Sequence, residues 1–172
     1  LKKSTNEEIK QNAKMETEKR KTIKDNSKND FTETNCINFV FANIQGLITE
    51  NNNCKIKYLE TLLNEEEFAF AIITESHLHK CKDGCDRCIE DSEVKITNYD
   101  IIRTDRTDRT KGGCCIFLKE KFKKEILISR SNDCVEVLAI KIENPNVILV
   151  AIYRPPNSKT EKFEDMIKEI RN

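Results

Sequence analysis

The sequence predicts a mixed α/β fold in which β-strands occupy most of the chain. From residue 35 onward, short apolar runs alternate with turn-forming residues, a pattern typical of strands. Apolar residues at helical spacing lie between the first two runs, so the fold opens with a strand–helix–strand unit. The later runs follow one another across tight turns such as Gly112-Gly113, which favours antiparallel hairpins. Together these patterns predict an α/β fold with an extended antiparallel sheet.

The opening unit is predicted in three parts. They are a strand over Cys36–Ala42, a helix after the Asn51–Asn53 cap, and a strand over Phe68–Ile73. The helix carries three apolar residues on one face: Ile56, Leu59 and Leu63. The second strand is a continuous apolar run directly after a helix, which indicates a strand buried on both faces.

The rest of the chain is predicted to be mostly strand. Five further strands are expected over Tyr99–Ile102, Gly113–Leu118, Glu125–Ile128, Cys134–Ile142 and Val147–Tyr153. Before them, the polar stretch Thr74–Asn98 is long for a loop and is therefore expected to be functional or mobile. Pro155-Pro156 ends the last strand, and Ser158 can cap a final helix that carries three apolar residues: Phe163, Ile167 and Ile170.

This set of elements lacks a second layer. Strands with apolar residues on both faces need other elements packed against them, and two short helices cover too little of the sheet. Either a partner supplies another sheet or the rest of the domain is missing, and we favour the missing piece. The chain opens with Leu1 and stops inside a helical pattern at Asn172, so both ends are expected to be cut.

Composition excludes several classes of protein. The 172 residues are 37% hydrophobic and 35% charged, with 30 basic against 30 acidic residues. A net charge of zero does not support bulk attraction to nucleic acid or to an anionic membrane. The sequence contains no apolar run near the roughly 20 residues that cross a bilayer, so no membrane partner is expected. Without an export signal, the eight cysteines are interpreted as reduced thiols or metal ligands in an intracellular, reducing compartment.

The composition changes sharply near residue 35. Residues 1–34 are rich in charge, and their few large apolar residues form no repeating face. Burial therefore cannot offset the entropy cost of ordering this segment. We expect a charged tail over residues 1–34, disordered or weakly helical, and a folded region over residues 35–172.

Candidate functional residues lie where predicted strands end. Asn43 ends the first strand, and Glu75 ends the second. If these strands are parallel neighbours joined by the helix, both side chains emerge at one edge of the sheet. A carboxylate beside a carboxamide provides hard oxygen ligands suited to Mg²⁺. Tyr153 ends the last strand and would have to open onto the same rim to join them.

Taken singly, each of these residues has a simpler explanation. Asn43 could be a turn former, Glu75 a solvated acid at a strand end, and Tyr153 a ring at the edge of the core. The order and surroundings of the three residues favour a functional interpretation.

Four motifs occur in order. They are Asn-x-x-Gly-Leu from Asn43, Thr-Glu-Ser-His-Leu from Thr74, Asn-Tyr-Asp-x-x-Arg-x-Asp-Arg-x-x-Arg-x-x-Gly-Gly from Asn98, and Tyr-Arg-Pro-Pro from Tyr153. With these motifs the chain resembles the endonuclease domain of non-LTR (LINE-like) retrotransposons. This is a branch of the endonuclease/exonuclease/phosphatase superfamily that includes the apurinic endonucleases. The resemblance runs from about Ile37 to Arg171.

The resemblance implies a fold and a reaction. The family fold is a four-layer α-β-β-α sandwich of the DNase I and apurinic-endonuclease type, of which this chain would be the N-terminal part, truncated after the tyrosine strand and one helix. The implied reaction is Mg²⁺-dependent phosphodiester hydrolysis that nicks DNA and primes reverse transcription. DNA and the remainder of a polyprotein with reverse transcriptase are the implied partners, and the nucleus is the implied location.

The resemblance also implies roles for individual residues. Asn43 matches the asparagine beside the metal and phosphate, Glu75 the glutamate that binds Mg²⁺, and Tyr153 the tyrosine near the scissile phosphate. The Gly-Asp-x-Asn and Ser-Asp-His-type motifs of the family do not follow Tyr153 in this sequence. The only histidines, His77 and His79, match no catalytic base of the family, so we expect the chain to be inactive alone.

Charged residues near the Gly-Gly turn have two interpretations. Arg106 and Arg109 are candidate phosphate contacts because guanidinium groups match phosphate oxygens. The alternating acids Asp105 and Asp108 could instead form ion pairs that shape the loop. Glu136 interrupts an apolar strand, where it either lies on an exposed edge face or points inward toward an arginine of residues 103–109.

The polar loop carries a candidate zinc site. Its ligands would be His79, Cys81, Cys85 and Cys88. Against Zn²⁺, the Cys-x₃-Cys-x₂-Cys spacing lacks the paired Cys-x₂-Cys of common fingers, and the family needs no metal here. Reduced, solvent-facing thiols are the alternative.

Three functional hypotheses follow. The leading one is part of a retrotransposon endonuclease that is inactive as it stands. The second is another phosphodiesterase or phosphatase of the same superfamily. The third is a non-catalytic, domesticated remnant that binds nucleic acid or a protein partner.

Overall fold

The computed structural model describes residues 37–48, 54–79, 88–106, 111–156, 158 and 160–171. Seven strands are present in this part of the chain: β1 (Phe39–Asn43), β2 (Phe70–Thr74), β3 (Tyr99–Thr104), β4 (Cys114–Lys119), β5 (Lys124–Ser131), β6 (Glu136–Ile142) and β7 (Val147–Tyr153). Two α-helices accompany them, α1 (Cys54–Glu65) and α2 (Thr160–Arg171), with a short 3-10 helix at Asp91–Val94. The tail predicted over residues 1–34 and the Asn51–Asn53 cap lie outside the described residues.

The strands form two sheets, which corrects the expectation of one extended antiparallel sheet. The first sheet has the order β1-β2-β4-β3, and the second has the order β5-β6-β7. Strand β4 lies between β2 and β3 and is paired along both edges, so β5 cannot pair with it. The chain therefore crosses to the other sheet after Lys119.

The second layer that the sequence analysis found missing is the second sheet itself. Apolar side chains of β2, β3 and β4 pack against those of β6 and β7 in one buried cluster. Its largest fully buried members include Ile116, Leu118, Leu138 and Ile140. The periodicity indicated strands but not the sheet to which each belongs, because a residue facing an opposite sheet and one facing a helix are equally apolar.

The two helices cover the outer faces of this sandwich. Helix α1 packs Ile56, Leu59 and Leu63, the three residues predicted for its apolar face, against the outer face of the first sheet. Helix α2 packs Met166 and Phe163 against the outer face of the second sheet. The order of layers is helix, sheet, sheet, helix, so the predicted mixed α/β sandwich is confirmed.

The strand–helix–strand unit has the predicted geometry. Strands β1 and β2 are parallel, with Phe39 beside Phe70 and Asn43 beside Thr74. Every residue of β2 is buried, as its continuous apolar sequence indicated. Because the two strands are parallel, their carboxyl ends reach the same edge of the sheet.

The polar stretch after β2 is partly anchored to the core. Leu78, Val94 and Ile96 are buried and join the cluster beneath α1. Tyr99 is anchored there too, and its hydroxyl donates to the carbonyl oxygens of Leu63 and Phe68. These segments therefore belong to the outer layer of the first sheet, an arrangement that their polar composition concealed.

Candidate active site

Three loops meet at one end of the sandwich. Gly46 N–H donates to the carbonyl of Glu75 at 2.7 Å, and Leu47 N–H donates to that of Ser76 at 2.8 Å. On the other side, His77 N–H donates to the carbonyl of Gly112 at 2.7 Å. The loop after β2 is therefore held between the loop after β1 and the Gly112-Gly113 turn before β4.

Two residues of the loop after β2 have an uncommon backbone conformation. Glu75 and His77 both have φ of 53°, in the left-handed region that few non-glycine residues adopt. Such conformations persist where surrounding contacts over-determine them, and they cluster at functional sites. Here the hydrogen bonds to Gly46 and Gly112 provide those contacts.

The three residues selected from the sequence converge at this rim. Asn43 Nδ2 donates to Glu75 Oε1 at 2.9 Å. The Tyr153 hydroxyl lies close enough to the Glu75 carboxylate to lower the pKa of that carboxyl, so a side chain of the second sheet reaches the same group. The structure thus brings Asn43, Glu75 and Tyr153 together, while their catalytic and metal-binding roles stay predictions.

The protonation states at the rim follow from these contacts. The hydrogen bond from Asn43 is the largest influence on Glu75 and lowers the pKa of that carboxyl, with further lowering by Tyr153, His77 and Lys111. Burial, together with the neighbouring Glu75 carboxylate, raises the pKa of Tyr153 to about 12. At neutral pH the rim therefore carries an ionised carboxylate beside a protonated phenol.

His77 lies beside this carboxylate without forming an ion pair at neutral pH. Its Nε2 atom is 3.8 Å from Glu75 Oε2. Burial lowers the pKa of His77 below its ordinary value and outweighs the raising effect of Glu75. The imidazole is therefore neutral at pH 7.

Lys55 is a contributor that the sequence analysis missed. It lies in the first turn of α1, and its Nζ donates to the carbonyls of Ile44 and Gln45 at 2.7 and 3.1 Å. These contacts hold the loop directly after Asn43. A cation in the first turn of a helix opposes the helix dipole, and this was the one available signal of a specific role.

Arg103 at the end of β3 and Arg106 in the loop after it form ion pairs inside the protein. Arg106 Nη1 lies 3.3 Å from Glu136 Oε1, and both side chains are buried. Arg103 Nη2 lies 3.0 Å from Asp105 Oδ2. Glu136 therefore points inward, and Asp105 forms the loop-shaping ion pair considered above. As a phosphate contact Arg106 stays a prediction, and Arg109 lies outside the described residues.

The predicted zinc site is only partly visible. Cys81 and Cys85 lie outside the described residues, so the set cannot be assembled. His79 Nδ1 is 3.0 Å from the carbonyl oxygen of Arg106, which accounts for one ring nitrogen of that residue. Cys88 is exposed. In the described part of the chain, no three His, Cys, Asp or Glu side chains form a metal-binding cluster.

The donors at the rim are suited to a weakly held Mg²⁺ ion. The Glu75 carboxylate is ionised and oriented by the Asn43 amide, and its side chain is 19% exposed, so a cation can reach it. Mg²⁺ commonly uses one or two carboxylates and completes its shell with water and substrate phosphate. A single carboxylate beside the Asn43 carboxamide fits such a weakly held ion and does not fit a tight, fully protein-ligated one.

Comparison with known proteins places two solved structures beside this fold. They are an AP endonuclease from Archaeoglobus fulgidus, at 10% identity and a TM-score of 0.47, and the AP endonuclease LMAP from Leishmania major, at 12% identity and 0.48. The matches cover 69% and 73% of this chain. This chain spans 41% and 43% of theirs. No family model and no curated protein matches the sequence. In the described residues, no helix has the length and apolarity needed to cross a membrane.

Proposed function

We propose that this rim is part of a Mg²⁺-dependent phosphodiesterase site in a DNA endonuclease domain of the retrotransposon type. One observation carries the proposal: a single ionised carboxylate, Glu75, accepts a hydrogen bond from the Asn43 amide at one strand end and lies beside the Tyr153 hydroxyl of the opposite sheet. Tyr153 packs against the edge of the inter-sheet core, but Asn43 and Glu75 are polar and add no apolar packing, so core packing does not explain why the three meet. The four sequence motifs support the finer assignment to DNA and to the retrotransposon branch.

Each residue has a distinct task in the proposed site. Glu75 would hold Mg²⁺, and Asn43 fixes the orientation of that carboxylate by donating its amide N–H to it. Tyr153 stays protonated at neutral pH and can donate a hydrogen bond to a phosphate oxygen in place of Glu75. When bound, Mg²⁺ would neutralise the charge that develops on the phosphate oxygens.

We propose that the chain is inactive by itself. The family's Gly-Asp-x-Asn and Ser-Asp-His-type motifs are not in this sequence. General base catalysis contributes about 10²–10⁴-fold, so activity without the usual base should stay near background. A larger polyprotein with reverse transcriptase would supply these groups, and its substrate would place it in the nucleus of the cell.

Metal binding tests the site directly. We expect Mn²⁺, used as a paramagnetic probe for Mg²⁺, to broaden NMR signals of the loops around Glu75, because its carboxylate is ionised and accessible. Glu75→Gln should abolish this broadening. Glu125→Gln, an exposed carboxylate near the opposite end of the second sheet, is the matched control and should leave it unchanged. Broadening that persists in Glu75→Gln would contradict the proposed site.

Nicking of supercoiled plasmid tests the expected inactivity. With Mg²⁺ present, the purified chain should nick no faster than the buffer or the Glu75→Gln variant. Nicking that depends on Glu75 would prove the inactivity wrong while supporting the reaction. If such nicking is also lost in the His77→Gln variant, His77 is the base, because it is the neutral imidazole beside Glu75.

A second candidate function is a non-catalytic binding fragment. It is favoured by the exposed aromatic residues Phe39 and Phe41 on β1, which are 54% and 59% accessible. Such a fragment would bind a protein or nucleic-acid partner without any requirement for Glu75. Another phosphodiesterase or phosphatase of the same superfamily would use the same rim on a different phosphate ester, and hydrolysis of small phosphodiesters without plasmid nicking would identify it.

A further inference from the structure

A buried ion pair lies directly behind the candidate site. The side chains of Glu136 and Arg106 are 0% and 4% exposed, and their nearest charged atoms are 3.3 Å apart. The N–H of Gly113 donates to the second oxygen of Glu136. Burying two charges costs several kcal/mol per ion, and exchange of such a pair for apolar residues is often neutral or stabilising. Stability alone is therefore a weak explanation for the pair.

The position of Glu136 connects it to the tyrosine of the site. Glu136 begins β6 and is the cross-strand partner of Tyr153, which ends β7. Directly opposed residues in antiparallel strands project from the same face of the sheet, with Cβ atoms about 4.5–5.5 Å apart. The negative charge of Glu136 raises the pKa of Tyr153, after the larger effects of burial and of Glu75. The two side chains thus lie side by side at the mouth of the sandwich.

The same ion pair connects to the loop that carries Glu75. Gly113, the donor to Glu136, accepts a hydrogen bond from Ser76 N–H at 3.0 Å, next to Glu75. Arg106 lies in the loop that joins β3 to β4 of the first sheet, whereas Glu136 begins β6 of the second sheet. The Glu136 carboxylate therefore connects the two sheets at the end of the sandwich where Tyr153 of the second sheet lies near Glu75 of the first.

We propose that Glu136 and Arg106 are positioning residues that set the distance between Tyr153 and Glu75. The pair fixes the spacing of the two sheets at the rim, so the tyrosine hydroxyl is held beside the carboxylate before any ligand arrives. An apolar pair of similar volume would fill the same space, but it would form no ion pair and no hydrogen bond to Gly113 that fix the orientation of the surrounding groups. The importance of this spacing for phosphodiester chemistry rests on the function proposed above, while the spacing itself does not.

Fluorine NMR tests the proposal on the intact chain. The sequence has three tyrosines, so fluorotyrosine labelling gives three signals, which Tyr→Phe variants assign. Tyr58 is largely exposed, and Tyr99 is buried in another cluster, so they serve as internal references. The main variant is Arg106→Met combined with Glu136→Leu, which leaves the net charge unchanged. We expect it to keep a cooperative thermal transition while the Tyr153 signal moves at least half-way toward that of Tyr58.

A second ion pair provides the matched control. Lys124 and Asp100 also join the two sheets, but through an exposed contact between β5 and β3. Lys124→Gln with Asp100→Asn removes that connection and should leave the Tyr153 signal in place. A folded Arg106→Met, Glu136→Leu variant with an unmoved Tyr153 signal would overturn the proposal and leave the pair a purely structural one.

A conservative variant decides the question if the double variant does not fold. Glu136→Asp keeps the charge and the partner but shortens the side chain by one methylene. A positioning role predicts that the Tyr153 signal moves in this variant too, whereas a role limited to neutralising Arg106 predicts no movement. Since neither metal nor nuclease activity enters the readout, a failure of the proposed function would leave this result standing, and the reverse also holds.

Discussion

At the scale of single residues, the rim is built from conformations and contacts that a sequence conceals. Glu75 is presented by a left-handed backbone and by hydrogen bonds to its neighbours' main chain. Gly112 and Gly113 also have positive φ, of 99° and 84°. The lack of a side chain at Gly112 lets Glu136 and Arg106 approach the turn, and its lack at Gly113 leaves room for the Ser76 hydroxyl. Both glycines are therefore required by backbone and by space.

Gly112→Ala should be strongly destabilising. A Cβ at this position would overlap Oε1 of Glu136 and lie 2.6 Å from Cδ of Arg106, in addition to the strain of positive φ. Strain and overpacking together should cost about 3 kcal/mol, measured as the free energy of unfolding in urea.

Gly46→Ala provides the comparison for that variant. Gly46 has φ of 91°, so it has a similar backbone cost, but its nearest foreign atom is His77 Nδ1 at 3.1 Å, on a side chain that can shift. The expected loss is about 1 kcal/mol. Equal losses in the two variants would show that the buried pair does not constrain Gly112.

At the scale of elements, position in the sheet decides what each strand can do. Strand β4 is buried on both faces and paired on both edges, which makes it the centre of the first sheet. Helix α1 is fastened to this sheet by its apolar face and also by Glu60. The Glu60 carboxylate receives the N–H and the hydroxyl of Thr97 at 3.1 and 2.9 Å, just before β3.

The Glu60 contact should contribute stability that depends on pH. The hydrogen bonds from Thr97, of which the backbone N–H is the largest influence, lower the pKa of Glu60 in the folded chain. A carboxyl with a lowered pKa stabilises the fold above its ordinary pKa, and that contribution is lost as the pH falls through the lowered value. Because the contact is exposed to solvent, Glu60→Gln should cost only about 0.5 kcal/mol at neutral pH and less in strong acid.

Urea unfolding at several pH values checks this expectation. Glu65→Gln, an exposed residue on the same helix, is the control and should show no such trend. If Glu60→Gln lowers the free energy of unfolding by the same amount at every pH, the contact with Thr97 depends on the shape of the side chain and not on its charge.

At the scale of the whole molecule, the two sheets are offset. Strand β7, the last of the second sheet, contacts β2 and β4 of the first. Among the described residues, β1 has at most sparse contact with the second sheet. Phe39 of β1 nevertheless stacks on Phe70 as a continuation of the inter-sheet core, with ring centroids 5.0 Å apart. An apolar face beside an open strand edge favours association with other chains.

The exposed face should bind a hydrophobic dye. Phe39→Thr with Phe41→Thr should remove more than half of the dye fluorescence, because these two side chains supply the aromatic surface of the face. Ile126→Thr, an equally exposed apolar residue on β5, is the control and should have a small effect. Unchanged fluorescence in the double variant would show that the face is covered in solution.

The sequence predicted the local features of this protein. Apolar periodicity identified the buried face of α1, the fully buried β2 and the exact span of β7, because period and burial are coupled within one element. The parallel β1–β2 unit also followed, and with it the proximity of Asn43 and Glu75. These are short-range consequences of chain geometry.

Only the tertiary structure decided the contacts between layers. It placed β4 and β5 in different sheets, turned Glu136 inward onto Arg106, and brought Tyr153 across the sandwich to Glu75. Each outcome depends on which element packs against which, and apolar patterning is the same for every partner that excludes water. Hydrogen bonds and charges distinguish these partners, and they act between residues that only the folded chain brings together.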